Sequence, residues 1–250
     1  MIDWLYIYLS WFMILCGIAT AIALLCGLTA GYGRYSQTED SYTLDAKTAW
    51  LIQEAPSFFV PFFFISLDTT FYGAFCAFLM GYHYYYRAFI YPKKLTSPNG
   101  SPYHIVLMAI IFCIWNGFIQ GVANLRYQIE FTDCSLFRLL CIAIGTGLFF
   151  YGVQINRQSD DILRSLRGPR SKEYKIPIGG YFEYVSCANY FGEIVEWIGY
   201  AIAVQSLPAF AFALFTVSNI GPRALSHHKW YKTSFPNYPS KRKALIPFVL

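Results

Sequence analysis

Long runs without a charged side chain constrain this sequence more than any other feature. The stretches 4–33, 95–125 and 197–222 contain no Asp, Glu, Lys or Arg. A helix that spans a bilayer needs about 20 mostly apolar residues, so each of these runs is long enough to span. Charged residues make up only 13% of the 250 residues, against about a quarter in soluble domains. The sequence therefore predicts an all-α integral membrane protein.

The apolar pattern predicts about seven spans, at residues 5–30, 48–67, 70–91, 104–125, 136–156, 180–198 and 200–219. The last two come from one apolar stretch and could also form a single helix. With the N-terminus outside, seven spans put all of the 19 basic residues except Arg126 and Arg138 on the cytoplasmic side, as the positive-inside rule requires. Six spans would separate the basic tail from the basic loop at 157–175. We therefore predict a bundle of about seven transmembrane helices with a cytoplasmic C-terminus.

The cysteine spacing and the glycine motifs limit the kinds of site that this single domain, 1–250, can hold. The seven cysteines lie mostly within spans and show no CxxC spacing, so we predict packing thiols and no metal site. Neither GxGxxG nor GxxxxGK[ST] occurs, so a bound nucleotide would have to lie between membrane helices. Membrane orientation explains the net charge of +5, and no nucleic-acid partner is predicted.

Ionisable groups at membrane depth are costly and usually face a cavity or a partner. Glu54 lies near the start of the second predicted span, where it could be an interfacial residue or a buried carboxyl. Burial would favour its protonated form, which can donate a hydrogen bond. In the third span, Tyr84, Arg87 and Tyr91 share one helical face at spacings of three and four. The four tyrosines of this segment, Tyr84, Tyr85, Tyr86 and Tyr91, could form an aromatic belt, or a phenol there could donate to a substrate oxygen.

A polar stripe continues out of the fifth span through Asn156, Asp160, Arg164 and Arg167. It could be an ordinary solvated face. As a site, it offers an amide, a carboxylate and guanidinium groups that suit a ribose and phosphates.

Two further faces follow in the C-terminal part. Asn189, Glu193, Glu196 and Tyr200 recur at i, i+4, i+7 and i+11 on one helix face, which is difficult to explain by packing alone. In the tail, three residues that could bind lipid headgroups also share a face, at i, i+4 and i+8: Arg223, His227 and Tyr231. If these faces converge, acids, amides and guanidinium groups would line one cavity, which favours a nucleotide with several phosphates over an ion.

Several short motifs lie at these polar positions. They are Gln53-Glu54-Ala55-Pro56-Ser57, His83-Tyr84 with Arg87 and Tyr91, Asn156 with Ser159-Asp160 and Ile162-Leu163-Arg164, the stretch 184–201, and a tail with His227-His228, Tyr231, Tyr238-Pro239 and the stretch 242–248. In these motifs the chain resembles the steroid 5α-reductases (3-oxo-5α-steroid 4-dehydrogenases) over nearly its whole length.

The resemblance implies a membrane oxidoreductase that uses NADPH to reduce the 4,5 double bond of a 3-oxo-Δ4 steroid, such as testosterone or progesterone. It implies that Glu54 and Tyr84 hold the C3 carbonyl as catalytic residues, with Gln53 and Arg87 also at the substrate. Helices within 5–125 would form the substrate side, and 136–250 the NADPH-binding part. The expected cofactor residues are Tyr91, Asn156, Asp160, Arg164, Arg167, Tyr174, Asn189, Glu193, Arg223, His227, Tyr231 and Arg242.

One departure concerns the loop after Tyr91, which carries Lys93 and Lys94 where relatives carry arginines further along. Either lysine could replace the missing phosphate contacts. We expect a monomer whose steroid enters from the lipid bilayer and whose NADPH enters from the cytoplasm. The membrane would be that of the endoplasmic reticulum in a eukaryote or the inner membrane in a bacterium.

Three alternatives stay open at the level of sequence. A reductase of the same architecture could act on a polyprenol or an enoyl-thioester. An isoprenylcysteine-type membrane methyltransferase has a similar C-terminal region but needs no contact to an extra phosphate. The set of arginines favours a nucleotide with such a phosphate, which argues against this alternative. A transporter or channel is disfavoured, because the polar residues cluster towards one side of the membrane rather than at the midplane.

Overall fold

Helices dominate the computed structural model, which describes residues 2–28, 42–95, 100–166 and 174–250. The α-helices are α1 (Ile2–Leu25), α2 (Ala46–Phe59), α3 (Phe71–Tyr85), the single turn α4 (Tyr91–Lys94), α5 (Tyr103–Arg126), α6 (Leu136–Ser165), α7 (Ala188–Val204) and α8 (Leu207–Ser234). A π-helix (Tyr86–Ile90) joins α3 to α4, and short 3₁₀ helices occupy Val60–Phe64, Phe131–Asp133 and Gly180–Glu183. Two short strands, β1 (Thr43–Leu44) and β2 (Ser101–Pro102), pair antiparallel. The predicted all-α bundle with seven long helices is confirmed for this part of the chain.

Three of these helices are long and apolar enough to cross a membrane by length and composition: α1 from Trp4 onwards, α5 and α6. The other long helices coincide with predicted spans but differ in their ends. The apolar stretch that could form one helix or two forms two helices. The chain turns between them at Gln205, which has φ 53° at the end of α7. Ser206 then caps α8 by accepting a hydrogen bond from the Ala209 amide at 3.3 Å.

Two helices continue well past the predicted spans. The span at 136–156 becomes α6, which ends at Ser165, and the span at 200–219 becomes α8, which ends at Ser234. Both extensions are polar, so apolar content could not reveal them. They carry site residues beyond the apolar segments, because a helix ends where its backbone is capped or broken and not where its hydrophobicity falls.

Side-chain caps and prolines explain the other helix ends. Asp45 accepts from the Thr48 amide at 3.1 Å and begins α2, and this backbone contact lowers the pKa of Asp45. Thr70 caps α3 through the Gly73 amide at 2.9 Å. Pro56 and Pro61 lie at the end of α2 and in the following 3₁₀ segment, since proline cannot donate an amide to a continuing helix.

Glycines let α6 and α7 approach each other unusually closely. A Cβ added at Gly152 would lie 2.3 Å from the Glu196 amide nitrogen, and one at Gly192 would lie 2.4 Å from that of Asn156. Gly145 and Gly199 show the same close approach one heptad away. Small residues are what membrane helices use when their backbones touch. This glycine seam fixes how α6 and α7 present their polar residues.

Candidate active site

A cavity of about 960 Å³ lies among the helices and is lined in part by residues of the polar extensions of α6 and α8. Its size is at the upper end of the roughly 300–1,000 Å³ found for small-molecule and cofactor sites. The wall includes residues from α1, α2, α3, α5, α6, α7 and α8. Of the candidate site residues, it contains Gln53, Glu54, Tyr84, Arg87, Tyr91, Asp160, Tyr174, Asn189, Glu193, Arg223, His227 and Tyr231.

The acidic group of α2 lies against α5. The Gln53 amide donates to Glu54 Oε1 at 3.2 Å, and the Cys113 thiol lies 3.9 Å from Glu54 Oε2. Glu54 is therefore held by its neighbour in sequence and by the facing helix, in a wall that includes the apolar Met108 and Phe112. Of the two interpretations of Glu54, the structure favours the carboxyl that faces a cavity.

Tyr84 forms the adjoining wall on α3. Tyr84 is only 4% exposed. Its ring packs between His83 and Trp197, at centroid distances of 5.0 and 5.9 Å. Tyr85, the next residue, faces outwards and is 54% exposed. The aromatic-belt interpretation therefore fits Tyr85 and not Tyr84.

Arg87 is the electrostatic centre of the cavity wall. Its Nη1 lies 3.0 Å from Asp160 Oδ2 on α6, and its Nη2 lies 3.9 Å from Glu193 Oε2 on α7. Its guanidinium lies 4.6 Å from the ring centroids of both Trp50 and Tyr91. The π-helix at Tyr86–Ile90 carries this arginine, and such irregular turns are frequent at functional sites. Arg87 thus joins α3, α6 and α7 in one polar contact.

The α8 residues form the opposite wall at the polar end. His227 Nε2 lies 3.3 Å from the Tyr190 hydroxyl, and the Arg223 guanidinium lies 5.7 Å from the Tyr190 ring. Tyr231 stacks on Tyr238 at 5.3 Å. The spacing of four on α8 correctly predicted that Arg223, His227 and Tyr231 share a face.

Other candidate residues lie beside the cavity and not in its wall. Asn156 donates to the Asn189 carbonyl at 3.0 Å and to Glu193 at 3.5 Å, so it joins α6 to α7 and holds a wall residue. Arg164 pairs with Asp161 on the surface of α6. Arg242 is buried and donates to the Pro177 carbonyl at 2.8 Å. Arg167 lies outside the described residues.

Three residues of the cavity wall, Lys175, Trp50 and His83, were not among the predicted site residues. Lys175 lines the cavity, whereas Lys93 and Lys94 are absent from its described wall. Trp50 supplies a ring face to Arg87. His83 lines the cavity and pairs with Glu196 behind it. Only His83 carried a signal, because it belongs to the motif that contains Tyr84.

The tail is attached to the segment before α7. Val185 and Lys243 form a parallel bridge, and the Ser186 amide donates to the Lys243 carbonyl at 2.9 Å. The Ser186 hydroxyl also lies 2.5 Å from His228 Nδ1 and 2.6 Å from the Tyr238 hydroxyl. Burial and the nearby Lys232 and Lys243 lower the pKa of His228. These contacts attach the tail next to Ser186, which lines the cavity.

Fold and cavity together define a class, namely a helical membrane protein with a large internal cavity that is apolar in one part and ionic in another. Comparison with known proteins identifies the family within that class. The family profile described as 3-oxo-5-alpha-steroid 4-dehydrogenase matches residues 99–250. The chain belongs to this family of oxidoreductases, which confirms the resemblance.

Curated relatives match along most of the chain. It is 42% identical to 3-oxo-5-alpha-steroid 4-dehydrogenase 2 of Sus scrofa, over 92% of this chain and 91% of the relative. It is 41% identical to the type 2 protein of Homo sapiens, with the same coverage. Identity to the type 1 protein of Rattus norvegicus is 39%, over 98% of this chain and 94% of the relative. The similarity thus includes both the Glu54 wall and the α8 wall.

Proposed function

We propose that this protein uses NADPH to reduce the 4,5 double bond of a 3-oxo-Δ4 steroid and releases a 5α-dihydrosteroid. The observation that carries the proposal is that Glu54 and Tyr84 line an apolar part of the same cavity whose other part is ionic. A single chamber can therefore hold an apolar ring system beside a charged cofactor. The names of the relatives support a steroid as the substrate.

The chemistry of the wall fits a phosphorylated dinucleotide. Lys175 and Arg223 line the cavity and supply positive charge for phosphates. Asn189, Glu193 and Asp160 supply acceptors and an amide for ribose hydroxyls and a carboxamide. His227, Tyr231 and Tyr174 add ring surfaces and donors. Arg223 and Lys175 are the described wall residues that we expect to favour NADPH over NADH.

NADPH, when bound, supplies the hydride that is added to C5. As C5 accepts it, negative charge moves through the enone to the C3 oxygen. Protonated Glu54 and the Tyr84 hydroxyl donate hydrogen bonds to that oxygen and stabilise the enolate as it forms. Gln53 orients Glu54 through the 3.2 Å hydrogen bond. Loss of one such donor typically lowers kcat by about 10²–10³-fold.

We further propose seven transmembrane helices with the N-terminus outside. The distribution of basic residues supports this orientation, as does the location of Lys175 and Arg223 at the polar end of the cavity. NADPH then enters from the cytoplasm, while a steroid reaches the apolar part from the bilayer. Within this arrangement, residues 5–125 contribute the substrate side and residues 136–250 most of the cofactor side.

The test uses purified protein in detergent with progesterone, and measures the product by chromatography with NADPH or NADH. We expect 5α-dihydroprogesterone with NADPH and much less with NADH. A polyprenol and a trans-2-enoyl thioester are assayed in parallel. Turnover of either without steroid turnover would overturn the substrate assignment, and absence of NADPH binding would overturn the reductase assignment.

A further inference from the structure

A buried histidine–glutamate pair lies directly behind the cavity wall. His83 Nδ1 on α3 and Glu196 Oε1 on α7 are 2.5 Å apart. His83 is 8% exposed and Glu196 is 1% exposed. His83 precedes Tyr84 in the chain and lines the same cavity, whereas Glu196 is not part of the wall. The proposed roles of Glu54 and Tyr84 leave this pair unused.

The two ring nitrogens of His83 have different surroundings. Nδ1 is engaged by Glu196, while Nε2 has no hydrogen-bond partner among the described residues. Nε2 is also not one of the fully enclosed polar atoms that lack a partner in the described part of the chain. Since His83 lines the cavity, Nε2 is the ring nitrogen that a bound molecule can reach.

The second oxygen of Glu196 indicates which atom holds the proton. Glu196 Oε2 is fully buried and has no hydrogen-bond partner among the described residues. An ionised carboxylate with one oxygen left unpaired would be costly there, whereas the carbonyl oxygen of a neutral acid costs less. Glu196 is therefore the neutral acid that donates to Nδ1. In a neutral imidazole that accepts at Nδ1, the proton is on Nε2, towards the cavity.

Reduction of the enone consumes one hydride and one proton. Glu54 and Tyr84 account for charge on the C3 oxygen, but C4 still needs a proton. We propose that His83, recharged by Glu196, is the proton donor that completes the reaction. This role rests on the proposed function, because it requires an enolate in the cavity.

The Nε2–H bond of His83 breaks and its proton forms the new C–H bond at C4, while the enolate electron pair is used for that bond. At the same time the Glu196 O–H bond breaks and its proton moves to Nδ1. The products are a saturated ketone, a neutral imidazole and a Glu196 carboxylate that accepts from Nδ1–H. One proton from water then binds Nε2 while the Nδ1 proton returns to Glu196, which restores the starting pair before the next turnover.

Charged groups on three helices lie near the pair: Arg157 on α6 and Glu193 on α7 near Glu196, and Glu54 on α2 near His83. Hydride transfer brings an anion into the cavity, and this anion draws the proton from His83. The pair is thus placed to donate only when charge develops.

The first experiment compares kcat, the solvent deuterium isotope effect and the pH profile of the wild type, Glu196→Gln and His83→Gln, at saturating steroid and NADPH. Glu196→Gln keeps the shape of the side chain and can still hold the imidazole, but it cannot recharge it. We expect kcat to fall by about 10²-fold, the typical contribution of a positioned proton donor. KM for both ligands should stay within about twofold, and the isotope effect should rise. In the wild type, kcat should fall at high pH, where Glu196 loses its proton, and Glu196→Gln should remove this fall.

The matched control is Tyr200→Phe, one turn deeper on α7. Tyr200 is also fully buried and accepts from Asn124 at 2.8 Å, but it does not line the cavity. This variant loses a buried polar contact of α7 and should keep the wild-type kcat, isotope effect and pH profile. An equal fall in kcat for Tyr200→Phe and Glu196→Gln would overturn the proposal, because loss of a buried contact in α7 alone would then explain the lower kcat.

A second measurement needs no turnover. Infrared spectra of the unliganded protein should show the carbonyl stretch of a buried protonated carboxyl that Glu196→Gln removes and Glu54→Gln leaves. Absence of this band would overturn the neutral acid. If the wild type reduces steroid and Glu196→Gln does so at the same kcat, the proton-donor role fails alone. If the wild type reduces no steroid, the proposed function fails, and this role fails with it.

Discussion

Helix α7 touches α6 on one side and borders the cavity on the other, and the two sides have opposite chemistry. On the α6 side, Gly192 and Gly199 bring two backbones into contact with no side chain between them. On the cavity side, Asn189 and Glu193 line the cavity with an amide and a carboxyl group. A glycine seam tolerates no added atom, whereas a cavity wall tolerates changes of shape but not of charge. The structure thus separates rigidity from chemistry within one helix.

The largest expected effect comes from removing the charge that pairs with the cavity side of α7. Arg87→Gln would leave Asp160 and Glu193 facing each other across a nearly buried contact, in which the Asp160 side chain is 6% exposed. Removing one partner of a buried pair costs about 3–5 kcal/mol. We expect a loss of that size in the free energy of unfolding, measured by denaturant titration in detergent, together with weaker NADPH binding.

The control for Arg87 is Arg164→Gln. Arg164 pairs with Asp161, whose side chain is 53% exposed. Exposed pairs contribute about 0–1 kcal/mol, so this variant should remain close to the wild type. Equal losses for both variants would show that Arg87 is no more than a surface charge.

The next largest effect comes from overpacking the glycine seam between α6 and α7. Gly152→Ala places a methyl group 2.3 Å from a backbone nitrogen of α7, which cannot move like the end of a side chain. Overpacking of this kind costs about 1–3 kcal/mol. The same change at Gly147, which has nothing within 4 Å of an added Cβ, should be neutral or slightly stabilising. Thermal unfolding of the two variants in the same detergent separates packing from helix propensity.

The smallest effect concerns the closure at the tail. Burial lowers the pKa of His228. The imidazole of His228 therefore takes up a proton more readily in the unfolded chain than in the folded protein. The stability that neutral His228 contributes is therefore complete above its ordinary pKa of about 6.5 and is lost as pH falls below it. Unfolding temperatures between pH 8 and 5 should fall less steeply for His228→Gln than for the wild type. Parallel curves would contradict this.

Helical periodicity predicted which face a residue occupies but not how deep it lies. Asn189 and Tyr200 share a face of α7, yet eleven residues at 1.5 Å each separate them by about 16 Å. The first borders the cavity, and the second is sealed against Asn124 and Gln120. Likewise, the resemblance implies that Arg242 contacts the cofactor, and in the structure its Nη1 donates to the Pro177 carbonyl. A sequence pattern does not contain the partner that a side chain meets across the fold.

Motifs carried more information than periodicity where a function depends on the type of residue. Glu54 and Tyr84 were identified from short motifs, and both line the cavity. The glycine seam was not predicted, since a glycine in a membrane helix shows its role only when the facing helix is known. The seam nevertheless determines where Asn156 and Glu193 meet.

The most direct test of the account is kcat at saturating steroid and NADPH for Tyr84→Phe and Glu54→Gln, with Tyr85→Phe as the control. Tyr85 lies next to Tyr84 but faces outwards. If the two cavity residues donate to the C3 oxygen, each variant should lose about 10²–10³-fold in kcat and keep its affinity for NADPH, while Tyr85→Phe stays at the wild-type rate. A kcat within about twofold of the wild type for both cavity variants would contradict the account.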